Sequence, residues 1–139
     1  MLKTKLLHPQ ILSALASNGH GSKILIADGN YPFTTGVPEA SHKVFLNFTP
    51  GMVSVTDVLK VIKDAIPIES YLVMLPPDET PQKIHEEFFD ILGESIPGTK
   101  VKKADFYQEA LSPNTCLVIA TGEIRRFANI LITIGVVKY

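Results

Sequence analysis

The chain has one cysteine, Cys116, so no intrachain disulfide can form, and its apolar neighbours suggest an inert buried thiol. Tryptophan is absent, as is the aromatic–basic alternation that binds single-stranded nucleic acid. Thirteen Lys and Arg against fourteen Asp and Glu leave a net charge of −1, with no electrostatic footprint for nucleic acid or an anionic membrane. No apolar run approaches the ~20 residues that span a bilayer. Met1 to Leu7 holds too short an apolar stretch for a secretory signal, so a cytoplasmic protein is expected. There is no glycine-rich GxGxxG, no Gly-Lys-Ser/Thr and no nucleophile elbow. The histidines (His8, His20, His42, His85) form no pair at metal-ligand spacing. Neither a metal nor an organic cofactor is therefore expected.

Apolar residues, by contrast, are plentiful. They make up 45% of 139 residues, a high share for one small domain. Part of that excess is expected to cover an interface in a homo-oligomer. Helical and strand patterns alternate without a linker or repeat. Pro9 starts a helix carrying Ile11, Leu12 and Leu15 and ending at Gly19. Lys23 to Ala27 reads as a strand buried on both faces, and Lys43 to Phe48 as a second strand. Ser54 or Thr56 caps a helix that Pro67 ends, and Ser70 to Leu75 is a third strand. Thr80-Pro81 opens a helix carrying Ile84, Phe88, Ile91 and Leu92. Thr99 to Lys103 reads as an edge strand guarded by lysines, and Asp105 as the cap of a short helix through Leu111. Leu117 to Ala120 and Asn129 to Ile134 complete the strands. This order predicts a single α/β domain over residues 1–139, with a mixed sheet flanked by helices.

Two polar words stand out against this background. Asn18-Gly19-His20-Gly21-Ser22 leads through the first strand to Ala27-Asp28-Gly29, and Thr121-Gly122-Glu123 leads to Phe127-Ala128-Asn129. Each sets a polar side chain at a strand end beside glycines that let the backbone turn and a ligand approach. His20 can exchange protons near neutral pH, although a solvated loop histidine is an equal reading. Asp28 can hold sugar hydroxyls or steer a histidine; it can also simply cap a turn. Asn129 donates and accepts at once. Glu123 is either a second carboxylate or an exposed turn residue, and Tyr107 either a hydroxyl or plain packing beside Phe106. A His, Asp and Asn set with a lysine nearby favours a small uncharged polyhydroxy ligand and proton transfer without cofactor.

The order and spacing of three blocks resemble the ribose pyranase / fucose mutarotase family, RbsD and FucU. The blocks are Leu12 to Pro32, Phe106-Tyr107-Gln108-Glu109-Ala110, and Thr121 to Glu123 with Ala128 to Leu131 and Gly135-Val136. Met1-Leu2-Lys3-Thr4 and the Phe-Tyr-x-x-Ala segment resemble the fucose mutarotase branch more than the ribose branch. The resemblance implies an RbsD-like fold and an isomerase that interconverts cyclic forms of a free monosaccharide by acid–base ring opening, without cofactor. It implies His20 as proton donor, Asp28 as a substrate-binding carboxylate, Phe127, Ala128 and Asn129 as a substrate-binding stretch, and Lys103 as a sugar contact. It also implies assembly into rings or decamers with sites near subunit contacts. Two positions depart from the family pattern: Phe127 replaces a tyrosine, and Lys103 stands where arginine or histidine is usual and lacks arginine's bidentate fork. A non-catalytic sugar-binding or transport-accessory protein on the same fold is the alternative that Phe127 keeps open.

His20 and Asp28 lie eight residues apart, roughly 25 Å if the chain between them is extended. That is too far for one monosaccharide. Either the chain curls at Gly21 and Gly29, or the two groups meet across a subunit boundary.

Overall fold

The computed structural model describes all 139 residues as a six-stranded mixed sheet with four helices. In chain order the elements are α1 (Pro9–Ser17), β1 (Lys23–Ala27), β2 (His42–Phe45), α2 (Val55–Ala65), β3 (Ile68–Met74), α3 (Lys83–Leu92), β4 (Gly98–Val101), α4 (Lys103–Ala110), β5 (Thr115–Ala120) and β6 (Ile130–Ile134). The strands lie in the order β2-β5-β1-β6-β3-β4. β6 runs antiparallel to both its neighbours, β1 and β3, while the other pairings are parallel.

The local chemistry explains most boundaries. Pro9 sits in the first turn of α1, where its missing N–H costs nothing. The Ser54 hydroxyl accepts from the Asp57 N–H, and the Asp57 carboxylate reaches back to the Ser54 N–H, so α2 begins with a capping box. The apolar stripes of α1, α2 and α3 (Ile11, Leu59, Ile62, Phe88 and Leu92 among them) pack on one sheet face against Ile24, Ile26, Leu117, Ile119 and Ile130. Residues one step along the same strands (Leu25, Ala27, Val118, Leu131) face the other way, onto Phe106 and Ala110 of α4 and onto Tyr31 and Val37. β1 is thus buried on both faces, as its unbroken apolar run predicts.

Several boundaries differ from expectation by a residue or more, and three have a clear physical reason. β2 stops at Phe45 because the chain turns into a tight reversal in which Thr49 and Met52 pair with each other. α3 starts at Lys83, two residues after Pro81. Asp105 is not a cap: α4 already begins at Lys103, so Asp105 lies in its first turn, where a carboxylate still favours the helix dipole. β4 is one of the two edge strands, as its lysines imply, although only Lys100 lies within it; β2 is the other.

Gly122 shows what one glycine in the second polar word is for. A Cβ there would lie 2.2 Å from the Met52 carbonyl oxygen and 2.4 Å from that of Thr49. The close approach is the protein's own: Gly51 N–H donates to the Gly122 carbonyl at 2.6 Å, and Gly122 N–H to that of Val53 at 3.1 Å. We expect Gly122→Ala to cost on the order of 3 kcal/mol in chemical denaturation, since backbone on both sides must move.

Candidate functional site

The carboxyl ends of the parallel strands gather at one edge of the sheet, where open α/β sheets place their ligands. Antiparallel β6 brings its amino end there too. Register makes this explicit: Ile26 pairs with Ile130, and Ala27 with Ala120, so Asp28, Thr121 and Asn129 follow or precede at the same level. Between them opens a cleft of about 400 Å³, lined by Asp28, Asn30 and Tyr31 after β1, by Met74 and Pro77 after β3, by Lys103 and Tyr107 of α4, and by Arg126, Phe127 and Asn129.

Asp28 and Asn129 form a closed pair at its floor. The Asp28 N–H donates to Asn129 Oδ1 at 2.8 Å, and Asn129 Nδ2 donates to Asp28 Oδ2 at 3.0 Å. The Asn30 N–H donates to Asp28 Oδ1 at 2.9 Å. Asp28 is only 3% exposed, and burial raises its pKa above the ordinary 3.8 against the lowering effect of these bonds. Each carboxylate oxygen keeps a lone pair for a hydroxyl entering from the cleft.

Aromatic rings make the walls. Tyr31 and Tyr107 stack at 5.2 Å with their planes 10° apart, and the Tyr31 hydroxyl donates to the Gly36 carbonyl at 2.9 Å. Lys103 Nζ lies 5.7 Å from the Tyr107 ring centre, and the Arg126 guanidinium 5.4 Å from that of Phe127. Such flat faces suit the C–H side of a pyranose, with cations and Asp28 left for the hydroxyls.

The loop before Asn129 is held from behind. Arg125 donates through Nε and Nη2 to the two carboxylate oxygens of Glu123, and through Nη1 to both oxygens of Glu87 on α3, each at 2.9 Å. Glu123 is buried rather than an exposed turn residue. Burial pushes its pKa up, but hydrogen bonds from Arg125 outweigh that and hold it below the ordinary value. Phe127 follows at φ +59°, a left-handed conformation that costs an aromatic residue roughly 1–2 kcal/mol.

Of the site residues expected from sequence, Asp28, Lys103, Phe127 and Asn129 come together here. Ala128 is fully buried and packs into the core under the sheet instead of lining the cleft. His20 is at the far end. The Gly21 N–H donates to the Ile134 carbonyl, at the opposite end of the β1–β6 pair from Asn129. Its side chain is 56% exposed and its Nε2 lies 3.3 Å from the Glu69 carboxylate. The chain does not curl His20 back to Asp28. The cleft residues that sequence reasoning did not single out are Asn30, Tyr31, Met74, Pro77 and Arg126; nothing local separates Arg126, which faces the cleft, from Arg125, which is locked to two glutamates.

The sequence matches the model of the RbsD / FucU transport protein family over residues 1–137. It is 30% identical to a D-ribose pyranase of Variovorax paradoxus, over 98% of each chain. In solved structures it is similar to a fucose mutarotase in complex with L-fucose from Streptococcus pneumoniae, at a TM-score of 0.81 and 26% identity over 99% of this chain and 100% of that one. Bacillus subtilis RbsD complexed with D-ribose shares the fold at a TM-score of 0.86, with 24% identity over 99% of this chain and 100% of that one.

Proposed function

This chain belongs to the RbsD / FucU family, and from that footing we propose that it interconverts the cyclic forms of a free monosaccharide by opening and closing the ring. The observation that carries the reading is the paired Asp28–Asn129 floor beneath a wall of Tyr107 and Phe127. Opening breaks the bond between the anomeric carbon and the ring oxygen, puts a proton on that oxygen and removes one from the anomeric hydroxyl. Asp28 and Asn129 accept and donate hydrogen bonds to hydroxyls, Lys103 adds a donor at the rim, and His20 is the proton donor.

His20 reaches a sugar in this cleft only from a second copy of the chain. An exposed apolar group beside the cleft supports such a contact: Phe48 is 86% exposed and Ile124 66%, on segments that pack together through Gly122. A homo-oligomer, a ring or decamer as in the resemblance, would cover them and seat His20 of the partner subunit at the cleft mouth.

The opening residues and the Phe106-Tyr107 segment favour a fucose-type sugar, while the curated D-ribose pyranases make ribose the second sugar to test. Exchange NMR on L-fucose, D-ribose and D-galactose reads both. An enzyme broadens the anomer resonances through faster exchange. Binding without faster exchange for every sugar would establish the non-catalytic alternative that Phe127, lacking a hydroxyl, keeps open.

A further inference from the structure

The cleft's sugar-facing loop is anchored by a residue that does not touch the cleft. His85, on α3, is 4% exposed, and its Nε2 lies 3.0 Å from the Phe127 carbonyl. A carbonyl only accepts, so Nε2 carries the proton and donates. Nδ1 is then a bare acceptor, buried without a partner. Burial lowers the pKa of His85, which keeps the ring neutral and unsuited to give a proton. Its ring also packs 6.2 Å from Phe88, a fully buried core residue of the same helix, which fixes its direction.

The bond falls at a telling point. Phe127 is left-handed at φ +59°, two residues before Asn129, and its ring lines the cleft. A conformation that a phenylalanine resists persists only where its surroundings hold it. One side of the loop is held by Arg125 gripping Glu87; the other is held by His85. Both grips come from α3, which the hydrophobic core locks to the sheet.

We propose that His85 is a positioning residue for the sugar site, its Nε2–H holding the Phe127 carbonyl so that the Phe127 ring and the Asn129 amide keep their places around the substrate. This rests on the sugar-isomerase reading above. Losing the bond frees the loop to relax from its left-handed turn and displaces both groups, and displacements of about 1 Å in such sites cost on the order of a hundredfold.

The test compares His85→Leu, which keeps the bulk and loses the donor, with His85→Gln, whose amide N–H reaches the place of Nε2. Anomer-exchange kinetics on the sugar that the wild type turns over should show KM at least tenfold higher in His85→Leu, kcat lowered less, and most of the loss recovered in His85→Gln. Equal defects in the two variants, or wild-type kinetics in His85→Leu, would overturn the proposal. Should His85→Leu fail to fold, imidazole 15N spectra of the wild type decide. Saturating sugar should move the His85 Nε2 resonance while the ring stays in the Nε2–H form; a resonance that stays put, or an Nδ1–H form, overturns it. A wild type inert towards every sugar would defeat the functional reading, and this inference with it; an active wild type beside an unaffected His85→Leu defeats this inference alone.

Discussion

His20→Ala should fold and assemble as the wild type does, bind sugar, and lose ring opening down to the uncatalysed rate. The side chain is more than half exposed and its one partner is Glu69 at 3.3 Å, an exposed pair whose loss costs little stability. A positioned proton donor is worth about 10²- to 10⁴-fold in rate, so exchange NMR would see the loss plainly. The sharper version pairs two impaired variants, assayed at a sugar concentration where neither alone turns over measurably. Asp28 and His20 sit at opposite ends of β1, so on the proposed reading each site takes Asp28 from one copy and His20 from another. Co-expressed His20→Ala and Asp28→Asn chains should therefore regain about a quarter of wild-type activity, the share of sites that random assortment leaves intact. No recovery in a purified mixed assembly would mean that the two groups never share a sugar. Full activity of His20→Ala would remove the histidine from the chemistry altogether.

What could be read from the residues, and what could not, divides along the same physical line. β1 was legible to the residue because a run buried on both faces needs no partner to be recognised: after Lys23, Ile-Leu-Ile-Ala is apolar throughout, with Gly21 and Gly29 each two positions beyond the strand's ends. Asp28 and Asn129 were legible as strand-end polar residues, but not as each other's partners. They stand 101 positions apart, and only the antiparallel insertion of β6 beside β1 joins them. The start of α4 was misplaced because neither Lys102 nor Lys103 carries a capping side chain, and the helix begins without one. Tyr31, Pro77 and Arg126 enter the cleft from loops whose paths depend on packing, so no spacing announces them. Gly122 was legible as a close-approach glycine, yet what approaches is the Thr49–Met52 reversal rather than a ligand.

Asp28→Asn carries the second large effect, and its sign can be worked out in two observables that move in opposite directions. The carboxylate accepts from Asn129 Nδ2 and from the Asn30 N–H, and has capacity left for sugar hydroxyls. Hydrogen bonds to a charged acceptor are worth about 1.5–3 kcal/mol each, so the variant should raise KM by roughly 10- to 150-fold per hydroxyl lost. The new amide also sets its NH2 against one of two donors whichever way it turns, Asn129 Nδ2 or the Asn30 N–H; Asn129 cannot turn over in its place without giving up its bond from the residue 28 N–H. In the wild type, burial raises the Asp28 pKa above 3.8, so the ionised form that sugar needs begins to be lost at a higher pH than for an ordinary aspartate. KM should accordingly rise as pH falls through that raised value. Stability runs the other way. A carboxyl whose folded pKa is raised contributes its stability fully below the unfolded pKa, and that contribution is lost as pH rises through the folded pKa. On acidification the sugar-free protein should therefore gain from this group while sugar binding weakens. Both slopes should vanish in Asp28→Asn, measured by denaturation and by sugar titration across the same pH range. If KM keeps its acid limb in the variant, another group binds the sugar's hydroxyls and Asp28 is only the prop beneath Asn129.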